Sequence, residues 1–159
     1  HEDSLMRFLD DVSVGPAWLY YGGVATLASY GVEARHLVGC DARHLFGIQD
    51  EFRRRLPSRH LTFLQRLPLS YDEGDYVFVH AGIRPGLSLE AQIREDLLWI
   101  RDDFLASPVD HGKVVVHGHT IAPEPELLPN RIGIDTGAFA SGRLTCVVLA
   151  GASRSILST

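Results

Sequence analysis

At 159 residues with 45% hydrophobic side chains, the chain is long and apolar enough to bury a core, which excludes a disordered segment. Its 15 basic against 20 acidic side chains leave a formal charge of −5, which argues against a general nucleic-acid binder and against an anionic membrane surface. No apolar run approaches the roughly 18 residues of a membrane span, and the opening His-Glu-Asp-Ser has no basic or apolar signal pattern, so the expected setting is the cytoplasm.

In chain order, Leu5, Met6, Phe8 and Leu9 predict a short amphipathic helix over Asp3 to Asp10, with Asp3 or Ser4 as its cap, stopped by Gly15-Pro16. Ala17 to Tyr30 is rich in aromatic and small residues. Gly22-Gly23 makes it a poor strand, and it reads as a broken helical region. His44 to Leu56 and Leu61 to Leu67 read as helices closed by Pro57 and Pro68. Arg53-Arg54-Arg55, Arg59 and Arg66 then form a solvated face rather than a substrate patch. Cys40 and Cys146 have no CxxC spacing and read as a reduced, buried pair.

The second half changes character. Tyr76-Val77-Phe78-Val79 is a continuous apolar run behind Gly74-Asp75, as in a buried strand. Leu89 to Leu105 is helical in part. Lys113 to Val116, Arg131 to Ile134 and Leu144 to Leu149 predict three more strands, while Pro123-Glu124-Pro125-Glu126 reads as a loop. Helices in front and β-branched runs behind define an α/β or α+β class.

Two of these strands finish alike. Tyr76–Val79 runs into His80-Ala81-Gly82, and Val114–Val116 into His117-Gly118-His119-Thr120. Ligands gather beyond the carboxyl ends of strands in open α/β sheets, and imidazole suits a transition metal at neutral pH. If the strands are neighbours, His80 and one of His117 or His119 share an ion. Periodicity does not choose between the last two. A third run ends in Asp135-Thr136-Gly137, whose carboxylate is a ligand, an orienting group or, the favoured reading, a cap of its own turn. Arg101, read by itself, is a surface ion pair with Asp96, Asp102 or Asp103. His36, His44, His60 and His111 read as structural.

Phe78-Val79-His80-Ala81-Gly82, Leu97-Leu98-Trp99-Ile100-Arg101, Val116-His117-Gly118-His119-Thr120 and Ile134-Asp135-Thr136-Gly137-Ala138 resemble, in order and spacing, the later motifs of bacterial serine/threonine phosphoprotein phosphatases. Those belong to the calcineurin-like metallophosphoesterases. His1-Glu2 resembles the end of that family's Gly-Asn-His-Glu motif, which extends the likeness over nearly the whole chain.

The resemblance implies a β-sandwich flanked by helices with two divalent metal ions (manganese, iron or zinc) at one edge. His80 and His119 match ligands of the second metal. Arg101 matches the arginine that holds phosphate, and His1 the histidine that protonates the leaving group. The implied activity is hydrolysis of phosphate monoesters, on a phosphorylated protein or a small phosphoester, by a metal-bridged hydroxide. Diadenosine polyphosphate hydrolysis within the same superfamily is the alternative, and a non-catalytic binding module is the reading from another class. The family's Gly-Asp-x-His-Gly and Gly-Asp-x-x-Asp-Arg-Gly motifs do not occur. Residues 1–159 are therefore expected to be the C-terminal portion of a single such domain, close to inactive without the N-terminal half as partner.

Overall fold

The computed structural model describes residues 1–34 and 42–159, which form two compact units, His1–Leu67 and Pro68–Thr159. His36 and Cys40 lie outside the described residues.

The first unit is helical: α1 Glu2–Asp10, α2 Gly15–Trp18, α3 Val24–Ser29, α4 Ala42–Arg55 and α5 Ser58–Gln65. The cap of α1 is His1, with no side-chain bond to the helix, in place of the expected Asp3 or Ser4. The break expected in the Ala17–Tyr30 region falls at a π turn over Leu19–Gly23, where Gly22 takes φ 110°. A Cβ on Gly23 would lie 2.7 Å from the Trp18 ring, so only glycine lets the chain fold back over that indole. Phe8, Trp18 and Phe52 stack through the centre at ring separations of 5.0 and 6.0 Å. The buried Gln49 amide meets its polar need by donating to the Phe8 carbonyl at 2.7 Å. Arg54 and Arg55 pair one turn back with Asp50 and Glu51, the solvated face the composition implies. His60 is structural, bonded to the Tyr30 hydroxyl at 3.0 Å.

The second unit is built on a five-stranded mixed sheet. Its strands are β1 Ser70–Glu73, β2 Tyr76–Val79, β3 Val114–His117, β4 Glu126–Leu127 and β5 Arg131–Gly133, in the order β1-β2-β3-β5-β4. The three central strands are parallel, Val77 pairing with Val115 and Val116 with Ile132, and both outer strands are antiparallel. Valine and isoleucine fill the centre because a parallel strand is covered on both faces. Val115 and Ile132 are fully buried, each worth roughly 1.5–3 kcal/mol of burial. Helices α6 Arg94–Trp99 and α7 Asp102–Leu105 bring Leu97, Ile100 and Phe104 into the same core. After α8 Ala138–Ser141, strands β6 Thr145–Ala150 and β7 Ser153–Ser158 make a two-stranded antiparallel sheet. It meets the first sheet through the Tyr76 hydroxyl, which donates to the Gly151 carbonyl at 3.3 Å.

The result is a mixed α/β fold. Glu126, the last residue of the segment read as a loop, instead opens the short strand Glu126–Leu127, because its backbone pairs with Gly133 and that of Leu127 with Ile132. Cys146 is a free, exposed thiol rather than a buried one, since it occupies an outward position of β6. No described helix is long and apolar enough to cross a membrane.

Candidate active site

Because β2 and β3 are parallel neighbours, their carboxyl ends deliver His80 and the His117-Gly118-His119 segment to one edge of the sheet. The Gly118 amide donates to the His80 carbonyl at 2.9 Å and extends the pairing one step past the strands. The chain then turns sharply. The Thr120 amide donates back to the Gly118 carbonyl at 2.7 Å, closing a γ-turn with His119 at its centre. His119 has φ 64°, the only non-glycine residue with positive φ among those described. Such a turn costs of order 1–3 kcal/mol for a residue with a Cβ and persists where the surroundings enforce it.

That turn decides between the two histidines. His119 Nδ1 lies 3.0 Å from His80 Nε2, with ring centroids 4.8 Å apart. His117 points the other way into the sheet. It is buried edge-on against Phe104 at 5.1 Å, with Nδ1 against the Gly118 carbonyl. Burial lowers the basicity of the His117 and His119 rings. For His119, burial acts first and the Arg101 guanidinium and His80 add to it, pushing the pKa down to about 4. At pH 7 His119 is neutral and offers a lone pair.

Arg101 sits between α6 and α7, where the backbone leaves helical geometry at φ −133°, ψ −101°. The acids that sequence proximity offers it are not its partners. Its Nη1 donates instead to the His119 carbonyl at 3.2 Å and to the Thr120 hydroxyl at 3.0 Å. Trp99 stands edge-on to His119, ring centroids 5.7 Å apart. An open cavity of about 300 Å³ lies alongside, lined by Arg84, Trp99, Arg101 and Asp102 among others.

The structure thus brings together His80, His119 and Arg101, three of the four residues singled out by sequence. His1 belongs to the first unit, where it precedes α1. Asp135 does what a turn-capping aspartate does, accepting from the Gly137 amide at 3.0 Å. His111 packs on Phe104 at 5.9 Å, away from this constellation's hydrogen bonds. The sequence does not mark Thr120 and Trp99 as partners of these residues. Each adjoins a selected residue, but nothing in the spacing shows that a hydroxyl would hold the guanidinium.

The two ring nitrogens, 3.0 Å apart and hydrogen-bonded to each other here, are close enough that a small adjustment would let both reach one ion at about 2.1 Å. A neutral imidazole at His119 is the correct ligand form. No group of three or more histidine, cysteine or carboxylate side chains suited to a metal occurs among the described residues. The pair therefore fits as two ligands of an ion and does not close a coordination shell.

No protein-family model matches the chain, and no curated protein matches it. Among solved structures it is similar to a crystal structure of a "putative diadenosine tetraphosphatase", at TM-score 0.54 and 18% identity. The match covers 69% of this chain and 59% of that one, so this chain spans less than two thirds of its neighbour. At that identity the likeness is one of fold alone.

Proposed function

We propose that these residues belong to a calcineurin-like metallophosphoesterase that hydrolyses phosphate monoesters, with phosphorylated serine or threonine of proteins as the substrate class. The observation that carries the proposal is the 3.0 Å approach of His80 and His119 beside Arg101, at the carboxyl edge of neighbouring parallel strands. His80 and His119 would hold a divalent ion through Nε2 and Nδ1. Such ions, when bound, supply Lewis acidity toward phosphoryl oxygens and lower the pKa of water.

The chain's own contribution is positioning and charge. Arg101 is fixed by one nitrogen, Nη1, and its Nε and Nη2 have no protein partner among the described residues. Those groups suit the fork-like contact a guanidinium makes with phosphate, which stabilises negative charge spreading over the phosphoryl oxygens. Thr120 fixes the guanidinium's direction, and Trp99 walls the cavity beside it. His1, on the resemblance of His1-Glu2, is assigned the proton transferred to the departing oxygen, a step commonly worth about 10²–10⁴ in rate.

Diadenosine polyphosphate hydrolysis is the second reading, supported by the name of the structural neighbour. The test is turnover by the native gene product, in manganese, zinc or iron, of a phosphoserine peptide, an aryl phosphate and diadenosine tetraphosphate. We expect the peptide and aryl phosphate to be cleaved and Arg101→Ala to slow them by at least about 100-fold. Preferential cleavage of the dinucleotide would transfer the assignment to the second reading. Inactivity on all three would point to a binding module.

A further inference from the structure

Arg84 lies four residues beyond His80, in the loop leaving β2, and carries chemistry that the site described above does not use. Its guanidinium is a two-way bracket. Nε and Nη2 donate to both carboxylate oxygens of Asp96, at 2.9 and 2.6 Å, and Nη1 donates to Asp103 at 2.9 Å. Asp96 lies in α6 and Asp103 in α7, so the two acids flank the Ile100–Arg101 break from opposite sides. The backbone of Arg84 is itself gripped by the Gln92 side chain, which accepts from the Arg84 amide at 2.7 Å and donates to its carbonyl at 3.0 Å. A further tie joins the same loops, the Ala81 amide donating to the Leu97 carbonyl at 2.9 Å.

We infer that Arg84 is a positioning residue, which holds Arg101 at the His80–His119 edge by clamping the helix ends on either side of it. The inference rests on the phosphoesterase reading only for what Arg101 binds. The clamp explains why Arg101 forms no ion pair with Asp96 or Asp103. One guanidinium saturates the buried Asp96 carboxylate and draws Asp103 to itself, leaving the neighbouring guanidinium to the phosphate-facing role. The planar fork matters. A lysine keeps the charge but places a single nitrogen where three N–H groups now span two carboxylates.

Asp96 is buried, and removing its partner altogether risks the fold, so the informative variants are Arg84→Lys and Asp103→Asn. The measurements are the Kd of inorganic phosphate for the native gene product in manganese, its manganese affinity, and kcat and KM on an aryl phosphate. With Arg101 displaced by about 1 Å, each variant should bind phosphate about tenfold more weakly and raise KM, leaving manganese affinity unchanged. Because Arg84 acts through Arg101, Arg84→Lys should weaken phosphate no further in an Arg101→Ala background. A wild-type phosphate Kd in folded Arg84→Lys and Asp103→Asn proteins overturns the inference. An effect of equal size in the Arg101→Ala background overturns it too. If the wild type binds phosphate with this non-additivity but cleaves no phosphoester, the inference stands and the proposed function falls. Absence of phosphate binding by the wild type would sink both.

Discussion

Gly82→Ala measures how tightly the loop behind His80 is packed. A Cβ there would stand 2.3 Å from Phe104 Cδ1, 2.7 Å from Cγ and 2.9 Å from Cε1, with the backbone at φ 158°. Restoring an ordinary contact of about 3.5 Å requires the ring to retreat by about 1.2 Å. Phe104 has nowhere to go. It is fully buried, with His117 edge-on at 5.1 Å, His111 at 5.9 Å and the Arg131 guanidinium at 6.0 Å. Overpacking a core by one carbon costs roughly 1–3 kcal/mol, and adding a Cβ to a glycine backbone of this kind costs about 1 kcal/mol more. The expected loss is about 2–4 kcal/mol. Native-state hydrogen exchange reads it within this unit: the Val115 amide, bonded to the Asn130 carbonyl at 3.1 Å in the central strands, should exchange roughly 30- to 900-fold faster. Trimming the obstacle with Phe104→Leu in the same chain should recover part of the loss. Exchange within about threefold of wild type in Gly82→Ala would refute the argument that Phe104 is immobile.

Two shorter predictions concern the same edge. His119→Gly relieves the positive-φ turn, so it should raise apo-protein stability by about 1 kcal/mol in thermal unfolding while weakening manganese binding; lower stability would show that the turn is not strained. The Arg84 hydrogen bonds hold the Asp96 carboxyl below its usual range. A depressed folded value stabilises the fold above the unfolded pKa near 3.9, and that contribution is lost as pH falls from there through the folded value. Asp96→Asn should remove this acid-side slope in urea titrations at pH 5 and below, and an unchanged slope would dissociate it from the pair.

Much of this arrangement can be read directly from the chain. The continuous apolar runs at Tyr76–Val79 and Val114–Val116 announce buried strands, and a histidine directly after each marks a shared edge on condition that the strands are neighbours, which the parallel pairing of β2 and β3 supplies. What pattern reading misses is structure made by pairing rather than burial. Ser70–Glu73 is exposed at all four positions and carries no apolar alternation, yet it is an edge strand because Val77 and Val79 give it a partner. The choice of His119 over His117 depends on a backbone turn after Gly118, which periodicity does not encode. The partners of Arg101 and Arg84 are likewise hidden. Sequence proximity assigns Asp96 and Asp103 to Arg101, and the fold gives both to an arginine from another loop.

The central claim is that His80 and His119 hold a divalent ion next to a phosphate-binding Arg101. Paramagnetic broadening tests it on this chain without any turnover. Manganese added to isotope-labelled protein should first erase the imidazole signals of His80 and His119 and the Gly118 amide, and in a separate sample loaded with diamagnetic zinc, inorganic phosphate should shift the Arg101 Nε resonance. His80→Ala should abolish the broadening at His119. If broadening instead begins at exposed carboxylates such as Asp102 or Glu124, or if His119 is bleached no sooner than His111, the two histidines are not metal ligands and the account fails.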